Sequence, residues 1–277
     1  VDAKGHLVSL KLAAPVPFDV LVLASGLDPR PGLRLKELAH LKTDLTILGT
    51  GLSMVDALVF LAKRNYQGKI RAFSRHGDLP LVHDFTPTAG VSYTFEGHSS
   101  PLQTLQLVKE KLKTHPWRAV VDGLRPHTQN LWISWSVKER AQFLRHLRSF
   151  WGVHRHRIGE TQHEIVQRML KSGQLEVSAL GFKQRPPEAT ATLDCRGPVF
   201  GQNPLMQSLL TAGIVEQDQF NLGILSSPDG QVHDWLYVLG PLSRGVLWES
   251  IAVPDIRQQT KTLTQKLARW FSTHESL

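Results

Sequence analysis

Short apolar runs and stretches of helical period alternate along this chain, and the alternation divides it into elements. Leu7–Leu12 and Val20–Ala24 read as strands, the second a buried run that stops at Ser25-Gly26. No helix separates them, so they look like the end of a preceding domain. The chain, opening at Val1, is expected to be a fragment. Pro29, Pro31 and Gly32 then break the pattern as a linker does. Leu45–Leu48 is a further apolar run ending at Gly49. Ala57–Arg64 reads as a helix, and Lys69–Ser74, after the turn Gln67-Gly68, as a strand. Residues 80–101 are rich in turn formers. From about 102 to 172 the apolar positions follow helical spacing, and Val137–Phe150 is predicted to be one amphipathic helix with arginines on its polar side. Leu175–Val177 and Ala189–Cys195 follow as strands. Pro204–Thr211 reads as a helix ended by Gly213. Leu222–Leu225 and Val232–Leu239 are expected to form a hairpin around Ser227-Pro228-Asp229-Gly230. A last helix spans Pro254–Phe271.

This order predicts an α/β chain, and one stretch of it carries a chemical signal. In Gly49-Thr50-Gly51-Leu52-Ser53 an apolar strand meets a glycine turn and then a helix. That is the opening of a dinucleotide-binding unit. Gly49 would turn the chain sharply. Gly51, lacking a side chain, would let backbone N–H groups approach a pyrophosphate at the positive end of the helix. Met54 stands where G-x-G-x-x-G has its third glycine. The next strand ends in Ser74-Arg75-His76-Gly77, with Arg75 lying 24 residues after Gly51. An NAD-binding unit carries an acid near there, for the ribose hydroxyls. An arginine instead binds a 2′-phosphate through paired, charge-assisted contacts, which points to NADP. The competing reading is a βαβ unit with a basic surface loop and no ligand.

Composition narrows the class. The 277 residues are 41% hydrophobic and 20% charged, as in a globular protein. No apolar run approaches the roughly 18 residues of a membrane span, and the first residues given do not show the basic-then-apolar pattern of a signal peptide. A single cysteine, Cys195, rules out an internal disulfide and fits a reducing, cytoplasmic setting. It also argues against a flavoprotein disulfide reductase, which needs a redox pair. The net charge of +8 favours anionic partners: nucleic acid, acidic lipid or phosphate-bearing cofactors.

A second constellation lies near the end. Trp235–Leu239 reads as a strand ending in Gly240, followed by Pro241-Leu242-Ser243-Arg244-Gly245, then Trp248-Glu249 and a helix start. Such a turn and helix N-terminus suit one end of an anionic or electron-rich cofactor. With it the chain resembles the flavoproteins that have two dinucleotide-binding domains. The likeness is to a bacterial group described as FAD/NAD(P)-binding proteins, distant relatives of the flavin-containing and N-hydroxylating monooxygenases. The resemblance rests on Gly49-x-Gly51-Leu52-x-Met54-Val55-Asp56, Ser74-Arg75-x-Gly77 with Leu79-Pro80 and His83, and Trp117-Arg118. It continues through Leu124-Arg125-Pro126, Leu131-Trp132, Phe143-Leu144-Arg145-His146 and His154-Arg155-His156-Arg157. Its last pieces are Asp194-Cys195-x-Gly197-Pro198 and Gly240-Pro241-Leu242-x-Arg244-Gly245-x-x-Trp248-Glu249.

The resemblance implies a Rossmann-like NAD(P)-binding domain over residues 41–190, with a helical insertion at about 102–172. Residues 1–40 would be the end of a FAD-type domain and a linker, and 191–277 the return to that domain. It implies that NADP sits on Gly49, Thr50, Gly51, Leu52, Ser53, Ser74 and Arg75. FAD would lie along Gly240, Pro241, Arg244, Trp248 and Glu249, with the helix dipole favouring negative charge on the reduced flavin. The implied activity is that of a FAD-dependent, NADPH-using, monooxygenase-like oxidoreductase acting on a small molecule. Two departures stand out. The N-terminal FAD fingerprint of such proteins is absent, and Arg196 replaces their usual threonine after the cysteine.

Other features have plainer readings. His154-Arg155-His156-Arg157 is the densest basic cluster, expected to be a solvated helix end, and no metal site is expected there. Cys195 reads as a buried, inert thiol, because no motif supplies it a base. Ser250 lacks the G-x-S-x-G setting of a hydrolase. Glu249 is either a proton donor near a flavin or a helix-start cap, and Trp117, Trp132, Trp151 and Trp248 read as packing residues. No catalytic residue is assigned. The alternative to an enzyme is a nucleotide-sensing or nucleic-acid-binding module on a degenerate flavoprotein scaffold. The scattered basic residues and the lack of a nucleic-acid motif weigh against nucleic acid.

Overall fold

A computed structural model describes residues 16–28, 30, 34–86, 90–95, 97–181 and 191–274. The strand expected at Leu7–Leu12, and the first two residues of that expected at Ala189–Cys195, lie outside them. In chain order the strands and α-helices are β1 (Leu21–Leu23), β2 (Leu45–Leu48), α1 (Leu52–Ala62), β3 (Ile70–Ser74), α2 (Pro101–Leu112), α3 (Trp117–Leu124), α4 (Thr128–Ser134) and α5 (Val137–His146). Then follow α6 (Arg148–Arg155), α7 (Glu160–Lys171), β4 (Leu175–Ala179), β5 (Thr192–Asp194), α8 (Pro204–Thr211), β6 (Gln231–His233), β7 (Leu236–Val238) and α9 (Val253–His274). The chain divides into two compact units. The first comprises Val1–Asp28, Pro126–Val137 and Val199–Leu277; the second comprises Pro29–Arg125 and Lys138–Pro198.

The second unit is built on a four-stranded sheet of order β4-β3-β2-β5, all parallel. This is the strand order of half a Rossmann fold. Strand β2 is central, and its first three residues are buried, because a parallel sheet covered on both faces needs an apolar run rather than an alternation. Helix α1 starts at Leu52, five residues earlier than its apolar run suggested. It buries Met54, Val55, Ala57, Leu58 and Leu61, the spacing of one helical face. These pack with Leu45, Ile47, Ile70 and Leu175 into one core. Each such Leu or Ile contributes roughly 1.5–3 kcal/mol when fully buried. Helix α7 packs on α1 and buries Val166 and Met169.

The predicted helical stretch is present as α2 to α7. Helix α2 begins with a reciprocal cap: Ser100 Oγ accepts from Gln103 N–H, and Gln103 Oε1 accepts from Ser100 N–H, with Pro101 in the first turn. The single helix expected over Val137–Phe150 is instead two. Leu147, at φ −114°, separates α5 from α6. No glycine or proline marks that break.

In the first unit, β7 is central, parallel to β1 and antiparallel to β6. The hairpin forms, but not as expected. It joins β6 to β7 through Asp234-Trp235, while among the described residues Leu222–Leu225 pairs by an isolated bridge of Ile224 to Gln217. The Ser227–Gly230 turn leads into β6: Ser227 Oγ accepts from Gln231 N–H, and Gly230 adopts φ +86°. Asn203 caps α8 by accepting from Met206 N–H. Among the described residues no helix is long and apolar enough to cross a membrane.

Candidate functional site

In the second unit the carboxyl ends of β2, β3 and β5 lie side by side, and the sequence-predicted residues Gly49 to Ser53, Ser74 and Arg75 meet there. Gly49 adopts φ +100° and donates its N–H to Phe73 O at 2.7 Å. A Cβ on it would lie 2.5 Å from Cys195 O. Glycine is therefore required at 49 by backbone conformation and by the approach of β5, before any ligand is considered. Gly51 differs. Its φ is −85°, and a Cβ there would meet nothing within 4 Å. It is the N-cap of α1 but supplies no side-chain cap, and no acidic residue occupies the first turn. Gly51, Leu52 and Ser53 are exposed. The helix thus presents an uncapped positive end to its surroundings, where the first N–H groups have no intrahelical acceptor.

Thr50 and Ser74 are engaged with each other. Thr50 Oγ1 lies 2.9 Å from Ser74 Oγ and 2.5 Å from Asp78 O, and Ser74 Oγ accepts from Gly77 N–H at 3.0 Å. A carbonyl only accepts, so the Thr50 proton belongs to Asp78 O and the Ser74 proton to Thr50 Oγ1. The two hydroxyls lock the β2–α1 turn to the tip of β3.

Arginines gather at this edge. Arg75 is exposed at the end of β3. Desolvation lowers the pKa of the Arg148 guanidinium, and the like charges of Arg75 and Arg30 lower it further. Arg30 and Arg148 come from a linker and from α6, and nothing in their local sequence announced that they would join Arg75. Arg196, the departure noted above, turns back on Asp194: its backbone N–H and guanidinium donate at 2.6–3.1 Å. Burial pushes the Asp194 carboxyl up, but the hydrogen bonds and charge of Arg196, with Arg30, outweigh it and hold the group below its ordinary value. The acid beside the turn is thereby neutralised. Cys195 is pushed up to about 12 by burial, then by Asp194 and Asp56, as suits an inert thiol.

The basic cluster at 154–157 is not a simple solvated helix end. The Arg157 side chain is 5% exposed and pairs with both Asp122 oxygens, at 2.7 and 3.2 Å. It lies over the Trp117 ring, which the His154 ring meets edge-on. The cluster ties α6 to α3. Among the described residues no group of three or more His, Cys, Asp or Glu is placed to hold a metal.

In the first unit, Gly240 to Ser250 forms a mostly buried succession of turns after β7, so α9 does not follow the glycine directly. Gly240 adopts φ +70° and donates its N–H to Gln259 Oε1 at 2.9 Å. Arg244 lies over the Trp248 ring. Trp248 packs on Trp132, whose Nε1–H donates to Gly245 O at 3.1 Å. Trp132 and Trp248 are buried, as is Trp151 of the second unit, consistent with packing roles, and Glu249 and Ser250 are buried too. Asp218, also buried, accepts N–H bonds from Phe220, Leu222 and Gly223. A Cβ on Gly245 would overlap its carboxyl carbon at 2.2 Å, so Gly245 answers to Asp218. Gln129 and Gln259 line a cavity of about 190 Å³ beside Val238 and Leu239. Gln129 Oε1 and Gln259 Nε2 are buried without hydrogen-bond partners among the described residues.

No family profile matches the chain, and no curated protein matches it. Solved structures do. An ornithine N-hydroxylase from Kutzneria sp. 744, with reduced FAD, NADP⁺ and L-ornithine, is 13% identical over 95% of this chain and 67% of its own, with a TM-score of 0.53. L-lysine 6-monooxygenase from Pseudomonas syringae is 15% identical over 91% of this chain and 64% of its own, with a TM-score of 0.50. The chain thus shares their fold, α/β with a parallel Rossmann-type sheet, and spans about two thirds of their length.

Proposed function

We propose that the second unit binds NADPH and that the chain belongs to a flavin-dependent oxidoreductase of monooxygenase type. One observation carries the reading: the uncapped, exposed start of α1, opened by Gly51, lies in a half-Rossmann sheet whose neighbouring strand tip carries Arg75. A pyrophosphate suits the first fits, and a 2′-phosphate the second. Gly49 shapes the turn. Ser53, Leu52 and Gly51 offer the backbone surface, and Thr50 and Ser74 hold the turn in place. Arg75, with Arg30 and Arg148 near it, favours a 2′-phosphate over free ribose hydroxyls.

For FAD the fit is partial. The first unit offers Gly240, Pro241, Arg244, Trp248 and Glu249 after β7, and the cavity with the buried Gln129 and Gln259 polar atoms. At about 190 Å³ that cavity is below the roughly 300–1,000 Å³ of ordinary ligand pockets. Among the described residues of this unit no glycine-rich strand–turn–helix seats a pyrophosphate. Bound together, NADPH and a flavin supply hydride transfer and delivery of electrons to oxygen or an organic acceptor. The part we assign to this chain is to bind and orient NADPH and to form one wall of the flavin site. The substrate is a small molecule, and a cytoplasmic setting suits an NADPH user with one unpaired cysteine.

The test is nucleotide selectivity. Arg75→Ala is expected to weaken NADPH by about 10- to 100-fold, as loss of a charge-assisted contact of about 1.5–3 kcal/mol requires, and to leave NADH nearly unchanged. Equal weakening of both, measured by fluorescence titration, would overturn the assignment.

A further inference from the structure

The second unit holds a cavity of about 260 Å³ that the nucleotide reading does not use. One wall is the segment after β3. Leu81 O accepts from Ile158 N–H at 2.9 Å, and His83 N–H donates to Ile158 O at 2.6 Å, so this loop is stitched down as a short parallel ladder. A second wall is α7, which presents His163, Val166 and Gln167, residues three and four apart on one helical face. The third is the first turn of α3, Trp117 and Arg118. Most of the lining is apolar, and the polar groups are few, the general make-up of a small-molecule site.

Arg118 decides the character of that site. Its guanidinium lies over the Trp117 ring at 4.7 Å and donates through Nη2 to Val82 O at 3.3 Å. Asp84 Oδ2 forms an ion pair with Nη1 at 3.8 Å, too long for a hydrogen bond, and Asp84 Oδ1 accepts from Thr86 N–H and Oγ1 at 2.9 and 2.6 Å. Arg118 Nε is buried with no hydrogen-bond partner among the described residues. A guanidinium held on Trp117 and Val82 O and paired to Asp84 only at long range, with its Nε lacking an acceptor at the wall of a mostly apolar cavity, is an arrangement that a carboxylate completes.

We propose that this cavity binds a small monocarboxylate with an aromatic or branched apolar body, its carboxylate on Arg118 and its body against Val166 and the Leu81 ladder. At about 260 Å³ the cavity is also below the roughly 300–1,000 Å³ of ordinary ligand pockets, so it takes only a small ligand: a cavity of about 150 Å³ admits benzene, and this one a ring with a short acid arm. The proposal is independent of NADPH binding.

Calorimetric titration with phenylacetate, 2-phenylethanol and phenethylamine tests it on the wild-type chain. Saturable binding of phenylacetate, at least tenfold tighter than the alcohol and with no detectable binding of the amine, is the expected result. Arg118→Gln should weaken phenylacetate at least tenfold and leave the alcohol and NADPH unchanged. A far-UV circular dichroism spectrum and a urea midpoint matching wild type serve as the control for folding in the variant. No saturable binding of phenylacetate to the wild type at about 10 mM would overturn the proposal. So would equal affinity for acid and alcohol, or a folded Arg118→Gln chain that binds phenylacetate as before.

Discussion

Substituting the two glycines of the β2–α1 turn one at a time separates what the fold requires from what a nucleotide requires. Gly49→Ala places a Cβ at φ +100° and 2.5 Å from Cys195 O. The dihedral alone costs about 1–3 kcal/mol. The overlap cannot be relieved cheaply, because Cys195 N–H donates to Leu48 O at 2.6 Å and Gly49 N–H to Phe73 O at 2.7 Å. Moving either strand strains a buried backbone bond worth about 1–3 kcal/mol if left unmade. The expected loss is about 4 kcal/mol, or roughly 2 M in urea midpoint for a slope near 2 kcal/mol/M. Cys195 is the chain's only cysteine and sits just past β5, so the urea dependence of its thiol labelling reports opening of this edge. Gly51→Ala should behave differently. Its φ of −85° suits any residue, and the new methyl meets open space. Its stability should stay within about 1 kcal/mol of wild type, while NADPH affinity falls at least tenfold as the methyl holds the pyrophosphate off the helix. A Gly49→Ala midpoint within 0.5 M, roughly 1 kcal/mol at that slope, of wild type refutes the steric reasoning. Unchanged NADPH affinity in Gly51→Ala refutes the seat.

Three further outcomes follow. The folded-state pKa of Asp194 is depressed, so its contribution to stability is present above about pH 4 and is lost as pH falls through the lower folded value. Asp194→Asn should therefore lower the melting temperature at pH 7 and flatten its decline between pH 5 and 3; parallel acid limbs would contradict this. Cys195 is half-buried rather than buried, but its thiol, pushed up to about 12, should resist Ellman's reagent at pH 8 in the native chain and react fully in denaturant; native labelling within minutes would count against that upward shift. Asp218→Ala leaves three backbone N–H groups without their carboxylate, so a loss of about 3–5 kcal/mol is expected in chemical denaturation, with Asp218→Asn intermediate because one acceptor oxygen survives. A loss under about 1 kcal/mol would mean water replaces the carboxylate.

Most of the second unit's frame was legible in the sequence because it is local. A short buried strand needs a continuous apolar run, a sharp exit needs glycine, and a helix needs one apolar face. Leu45–Leu48, Gly49 and the α1 face announce themselves in about twenty residues. So does the basic tip at Arg75, since nothing but strand length sets its place. Elsewhere the local signal failed where a longer-range partner decided. The break at Leu147 has no glycine or proline, and the hairpin turns at Asp234-Trp235, with β7 paired to β1 on its other side. The basic run at 154–157 looked solvated until α3 supplied Asp122 and Trp117.

The sequence by itself therefore determined the strand–turn–helix, its order in the chain and the charge at its tip. Only the tertiary structure decided which arginines gather beside that tip, that Arg196 spends its charge on Asp194, and that Gly49 is held by Cys195 rather than by a ligand. Backbone conformation is set within a few residues. Charge neighbours and close approaches depend on which distant segments the packed core brings to the same edge of the sheet.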